Sequence, residues 1–183
     1  MEYLFENFDF INLVFYKEKK NYRILETKEN NQVKLIFNTP ILNIPFGKET
    51  YMNKDLLNLE FPMDGNNELF NFLSMMRSID NFFYKLSVDN KLRGTMINKN
   101  SLNASLINNI KNKVYMSSIK YKNKFDPLIR THINKDCKFY CENGLINLSD
   151  LKDKKGTFTL ELSHVWINEY SYGLVWLVNS GNL

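Results

Sequence analysis

The chain has 183 residues, 44% of them hydrophobic, with a formal net charge of +4 and a pI near 8.9. That apolar content supports a packed core and excludes wholesale disorder. No apolar run approaches the ~18 residues of a membrane span, and Glu2, Glu6 and Asp9 stand where a signal peptide would be basic and then apolar.

The N-terminal third reads as strands. Residues 8–16 are too apolar for an exposed edge, and 22–27 and 32–37 flank a polar turn at 28–31, as a hairpin does. Pro40 and Pro45 then punctuate TPILNIPFG, which predicts an edge or a bend, because proline cannot donate to a sheet ladder. Residues 56–61 alternate Leu57, Leu59 and Phe61 with Asn58 and Glu60, the pattern of a half-buried strand.

After Pro62 the period changes. Leu69, Phe72, Leu73, Met76, Ile79, Phe83 and Leu86 recur every three or four residues, predicting a long amphipathic helix capped by Asn66 or Asn67. A weaker helical pattern over 102–114 places Leu106, Ile110 and Val114 on one face, with Ser101 or Asn103 as cap. Strands return over 124–134 and 138–141. In GTFTLELSHVW, Phe158, Leu160, Leu162 and Trp166 share a face opposite Thr157, Thr159, Glu161 and Ser163, and His164 interrupts the apolar side. A turn at Asn168–Glu169 leads into YSYGLVWLV, where Tyr170, Tyr172, Leu174, Trp176 and Val178 form one face. Val175 and Leu177 make the other face apolar too, so this strand is central or covered by a helix. The fold class is mainly β with α: a small barrel with one long amphipathic helix and a second, shorter one.

Enzyme signatures are scarce. FGKET lacks the glycine and the Ser or Thr of a phosphate-binding loop. His132, Cys137 and Cys141 supply three ligands without paired zinc spacing. Glu60, Asp64 and Asp80 form no nuclease cluster, and His164 reads as a packed histidine bonded to a neighbour. Cys137 and Cys141 are too few for a disulfide framework and suit a reducing, intracellular setting. The expectation is a non-enzymatic binder with no cofactor and no metal.

Charge placement bears on what it could bind. Lys111, Lys113, Lys120, Lys122 and Lys124 crowd one stretch with Tyr115, Tyr121 and Phe125 among them, and YKEKKNYR at 16–23 repeats the mixture. Such interleaving is either a solvated face or a groove that follows a phosphate backbone while rings offer stacking surfaces.

Four blocks then appear in a particular order: TPILNIPFGKETY with LLNLEF, the helix FLSMMRSIDNFFYKL with its Ile-Asp pair, YKNKFDPLIRTHI, and the hairpin HVWINEYSYGLVWLV. Over about 39–178 this order resembles the single-stranded DNA-binding proteins of nucleo-cytoplasmic large DNA viruses. The resemblance implies an OB-fold, a five-stranded barrel with a helix between strands. It also implies non-catalytic coating of single strands in viral replication, recombination or repair. Some relatives end in an acidic tail that recruits replication enzymes, whereas this sequence ends NSGNL.

The expectation is therefore one OB-fold-like nucleic-acid-binding domain over 1–183, with a helical insertion at about 66–114. It would act in an infected cell, at a cytoplasmic replication site or in the nucleus. Its ligand is single-stranded DNA, with RNA as the alternative; replication proteins are further partners, and no membrane is involved. Lys111, Lys113, Lys120, Lys122, Lys124 and Arg130 would hold phosphates, and Tyr115, Tyr121, Phe125, Tyr170 and Tyr172 would meet bases. Trp166 and Trp176 are assigned to the core, and Gly173 to a bulge or a close backbone approach. The competing reading is a non-catalytic protein-interaction or virion subunit on a β-scaffold.

Overall fold

The computed structural model describes residues 9–63, 66–121, 123 and 126–183. Asp9 caps a short 3-10 turn, Phe10–Asn12, by accepting the Ile11 N–H. The first strand, β1 (Leu13–Glu18), therefore starts later than the apolar run suggested. Strand β2 (Asn21–Lys28) pairs with β1, and β3 (Asn31–Val33) pairs with β2. Between them Glu29 and Asn30 both take positive φ, 48° and 66°, the twist that a two-residue hairpin loop requires. The expected strand 32–37 breaks at Lys34, and its second part, β4 (Leu35–Asn38), leaves β2 for a different partner. Pro40 and Pro45 bracket β5 (Leu42–Ile44) and hold it to 3 residues. Strands β6 (Lys48–Tyr51) and β7 (Lys54–Glu60) form the next hairpin.

Helix α1 (Asn67–Val88) has the buried face its periodicity predicted, with Asn66 accepting the Glu68 N–H as cap. A helix absent from the sequence reading, α2 (Asn90–Lys99), follows at once. Only Met96 in it is buried, so it leaves no apolar period to read. Asp89 ends α1 and starts α2, its carboxylate accepting the N–H groups of Lys91 and Leu92. Helix α3 (Asn103–Ile110) is shorter than the expected 102–114, because Asn112 turns the chain at φ 68°. Asn103 is not its cap. It is fully buried, accepting from the Phe15 N–H and donating to the carbonyls of Leu13 and Met96.

The chain continues through β8 (Val114–Met116), β9 (Ile119–Lys120), β10 (Leu128–Cys141), β11 (Gly144–Ile146), β12 (Lys154–Ile167) and β13 (Ser171–Asn182). The two strands expected over 124–141 are one. It bows away from β13 between Ile133 and Lys138, which the sequence reading took for a break.

All strands join one mixed sheet, and part of it returns on itself. Pairings run from β12 to β5, β7, β10, β13 and back to β12, with β10–β13 parallel and the other four antiparallel. Strands β1 and β2 extend from β12, and β8 adds to β13, so the sheet path ends at β1 and β8. Phe158, Leu160, Leu162, Leu174 and Trp176 are buried as expected. Trp176 packs on Phe37 with ring centroids 5.6 Å apart, and Phe72, Ile79 and Phe83 of α1 join the same core. Among the described residues no helix is long and apolar enough to cross a membrane.

The pairing of β12 with β13 shifts register twice, first between Thr159 and Leu160 and again between Leu162 and His164, and only the second shift adds a residue to β12. Leu162 pairs with Trp176 but His164 pairs with Val175, leaving Ser163 as an extra residue in a bulge. Beyond it Val165 is buried, while His164 and Trp166 are only half-buried. Trp166 is thus not in the core. Its ring lies against Gly173, where an added Cβ would sit 2.8 Å from its Cζ2, so the glycine marks a close approach.

Candidate functional site

The residues singled out in the sequence fall into three groups. Tyr172 is internal, and Tyr115 is half-buried against it. Tyr172 is fully buried and donates its hydroxyl to the Phe83 carbonyl, 2.6 Å away; burial pushes that hydroxyl up to about 12. It cannot meet a base. Tyr115 packs on it at 5.2 Å and donates to Asp80 at 2.5 Å. Burial, then the Asp80 charge, drives the Tyr115 pKa far above its ordinary value. Asp80 also accepts from the Ser117 hydroxyl and from the N–H groups of Ser118 and Ile119. This is what the aspartate of the Ile-Asp pair does: it pins the 115–119 segment to α1.

The second group is exposed at one corner. Lys113 donates to the Glu169 carbonyl at 2.6 Å and the Val114 N–H bonds to Tyr170. Lys111 is exposed nearby in sequence, and Tyr170, 73% exposed, tops the β12–β13 turn. The third group lies along β9 and β10. Lys120 pairs with Leu128, and Tyr121, 65% exposed, accepts two hydrogen bonds from Arg77 of α1, at 3.0 and 2.6 Å. Arg130 donates to Asn58 at 3.2 Å and to Glu49 at 3.1 Å. Lys122, Lys124 and Phe125 lie outside the described residues.

Beyond Arg130 the outer face of the sheet opens into a groove of about 780 Å³ that sequence reasoning missed. Its floor is His132, His164, Val175 and Leu177, the side of β13 expected to lie under a helix. Its walls are the β6–β7 turn with Asn53 and Lys54, and the bow of β10 with Asn134 and Lys135. A second cleft, formed by Glu18, Lys19, Lys20 and Asn21, shares His164 with it. Both histidines of the chain thus face one surface.

The electrostatics of this surface are one-sided. Asp55 is held below its ordinary pKa by hydrogen bonds from Thr50 and Lys48. Glu18 is engaged by Arg23 at 3.9 Å and by His164 Nε2 at 3.1 Å. Lys19, Lys20, Lys54 and Lys135 have no carboxylate partner among the described residues. Burial, helped by Lys54 and Arg130, lowers the His132 pKa and favours the neutral ring.

His164 bonds Ser163 Oγ through Nδ1 at 2.6 Å. A carboxylate only accepts, so Nε2 carries a proton toward Glu18. The Ser163–His164–Glu18 chain has the composition of a nucleophile relay, but Ser163 is 1% exposed and no substrate can reach it. The bonds fix the imidazole instead. Among the described residues no group of three His, Cys, Asp or Glu side chains could hold a metal ion, and Cys137 and Cys141 are free thiols.

Two sequence signals could have found the groove: a histidine inside an otherwise alternating strand, and a strand apolar on both sides. No family model and no curated protein matches this chain.

Proposed function

We propose that this protein binds single-stranded nucleic acid, without sequence specificity, along the outer face of its sheet. The observation that carries the reading is the groove: a floor of His132, His164, Val175 and Leu177 beside four lysines that lack acidic partners. Phosphates would lie against the lysines and unpaired bases on the floor, the combination by which single strands are held. The path continues past Arg130 to Lys120, Tyr121 and Arg77. Lys111, Lys113 and Tyr170 form a separate, outlying contact.

The returning ring of five strands supports an OB-fold-like small barrel. Helices α1 to α3 enter between β7 and β10, the second and third strands of that ring in chain order. With the order of sequence blocks, this supports a single-stranded DNA-binding protein of large DNA viruses, acting without catalysis in replication, recombination or repair.

The test is fluorescence anisotropy with labelled single-stranded and duplex oligonucleotides at two salt concentrations. A basic surface alone binds duplex at least as well as single strands, because duplex has the higher charge density. Single strands are expected to bind at least about tenfold more tightly, and to keep that margin in salt. Equal affinity for both forms, or none for either, would overturn the proposal in favour of a protein-interaction module.

A further inference from the structure

Of the two tryptophans, one is sealed and one is not. Trp176 is 1% exposed, and its indole N–H donates to Ser118 Oγ at 3.2 Å. Trp166 is half-buried on the outer face, two residues beyond His164, and its pairing partner Gly173 is two residues before Val175. It therefore lies on the same face of the sheet as His164 and Val175, which line the groove, although it is not itself part of the lining. Its indole N–H has no partner among the described residues.

The local geometry is built around this ring. An added Cβ at Gly173 would lie 2.8 and 2.9 Å from two indole carbons and 2.9 Å from the Met116 carbonyl oxygen. Only glycine lets the indole settle against the strand. Met116, 44% exposed, pairs with Gly173 from the far side and extends the apolar surface. A large ring is thus held against its strand before any ligand arrives, on the face of the sheet that carries the groove.

We infer that Trp166 is the platform on which this groove stacks an unpaired base, with its free indole N–H available to the base edge or a phosphate. The inference rests on the single-strand reading above and assigns a residue that reading does not need. The occupant is a flat, uncharged ring carried on an anionic backbone, because Trp166 shares its face of the sheet with Val175 and Leu177, which line the groove together with unpaired Lys54 and Lys135.

The experiment pairs anisotropy with intrinsic tryptophan fluorescence, using an oligothymidylate and the full chain. Binding is expected to quench emission in the wild type. Trp166→Phe should abolish most of the quench while still binding, and Trp166→Ala should weaken single-strand binding about 5- to 150-fold, the worth of one stacked base. Gly173→Ala, which leaves the indole present but displaced, should weaken binding with the melting temperature monitored alongside. If the oligonucleotide binds by anisotropy but Trp166 emission does not respond and Trp166→Ala binds as tightly as wild type, the platform is wrong and the single-strand reading survives. If the oligonucleotide does not bind at all, both fall.

Discussion

Strand β12 behaves differently on the two sides of Ser163. Before it, Phe158, Leu160 and Leu162 enter the core while Thr157 and Thr159 face outward; after it, Val165 is the inward residue and His164 and Trp166 turn out. The first half is sealed and the second half is open. One unpaired residue is enough to divide the strand into a part whose side chains fill the core and a part whose side chains face outward. Strand β13 makes the same division across its two faces, with Leu174, Trp176 and Val178 inside and Val175 and Leu177 on the groove floor.

The largest effect belongs to the sealed half. Leu162→Ala removes a fully buried side chain and should lower stability by about 2–5 kcal/mol in denaturant unfolding. A loss below 1 kcal/mol would mean the ring interior is loosely packed. Deleting Ser163 probes the boundary itself. Because that residue opposes nothing on β13, its removal should regularise the pairing and keep His164 and Trp166 outward. The expected loss of stability is smaller than for Leu162→Ala. An unfolded deletion variant would show that the bulge carries more than one spare residue.

Smaller again are the effects on the open half. Lys54→Ala and Lys135→Ala should leave the melting temperature unchanged and weaken binding to every single-stranded sequence alike. Each should make the salt dependence of log affinity shallower by about 0.7, the contribution of one phosphate on a single strand. Unchanged slopes in both variants would remove these lysines from the interface.

The smallest expected effect is on pH. His132 has a lowered pKa in the fold, mainly through burial, against an unfolded value of about 6.5. Between those two values the unfolded chain holds the extra proton, so stability falls as pH drops through that window and levels off below it. His132→Asn should flatten that slope in thermal melts, and an unaltered slope would assign it to other groups. A bound polyanion would raise the same pKa, so affinity should strengthen as pH falls through the window.

Legibility followed periodicity. Helix α1 and the packing of Leu160, Leu162 and Trp176 were readable because each obeys one unbroken period. Trp166 was misplaced because the alternation was carried through Ser163, and a bulge has no residue signature of its own here. Tyr172 was placed at the surface because it stands near a turn. What buries it is α1, about ninety residues earlier in the chain, whose Phe83 carbonyl accepts its hydroxyl hydrogen bond. Local sequence carries no trace of that contact. The candidate basic residues were legible as a charge cluster, yet the groove was not, because Lys20, Lys54, His132 and His164 come from four separate strands or turns. Only the pairing of β12 with β2, and of β10 with β7 and β13, assembles them.

Asn103 has a consequence for how copies of this chain meet one another. Strand β1 ends the sheet, and an unfinished edge exposes backbone groups that a strand from another molecule can complete. Here the Asn103 amide occupies the Phe15 N–H and the Leu13 carbonyl, two of the groups such a strand would use. A single side chain thus stands in for a missing neighbour over the start of β1 and keeps that stretch of the edge from a strand of another molecule.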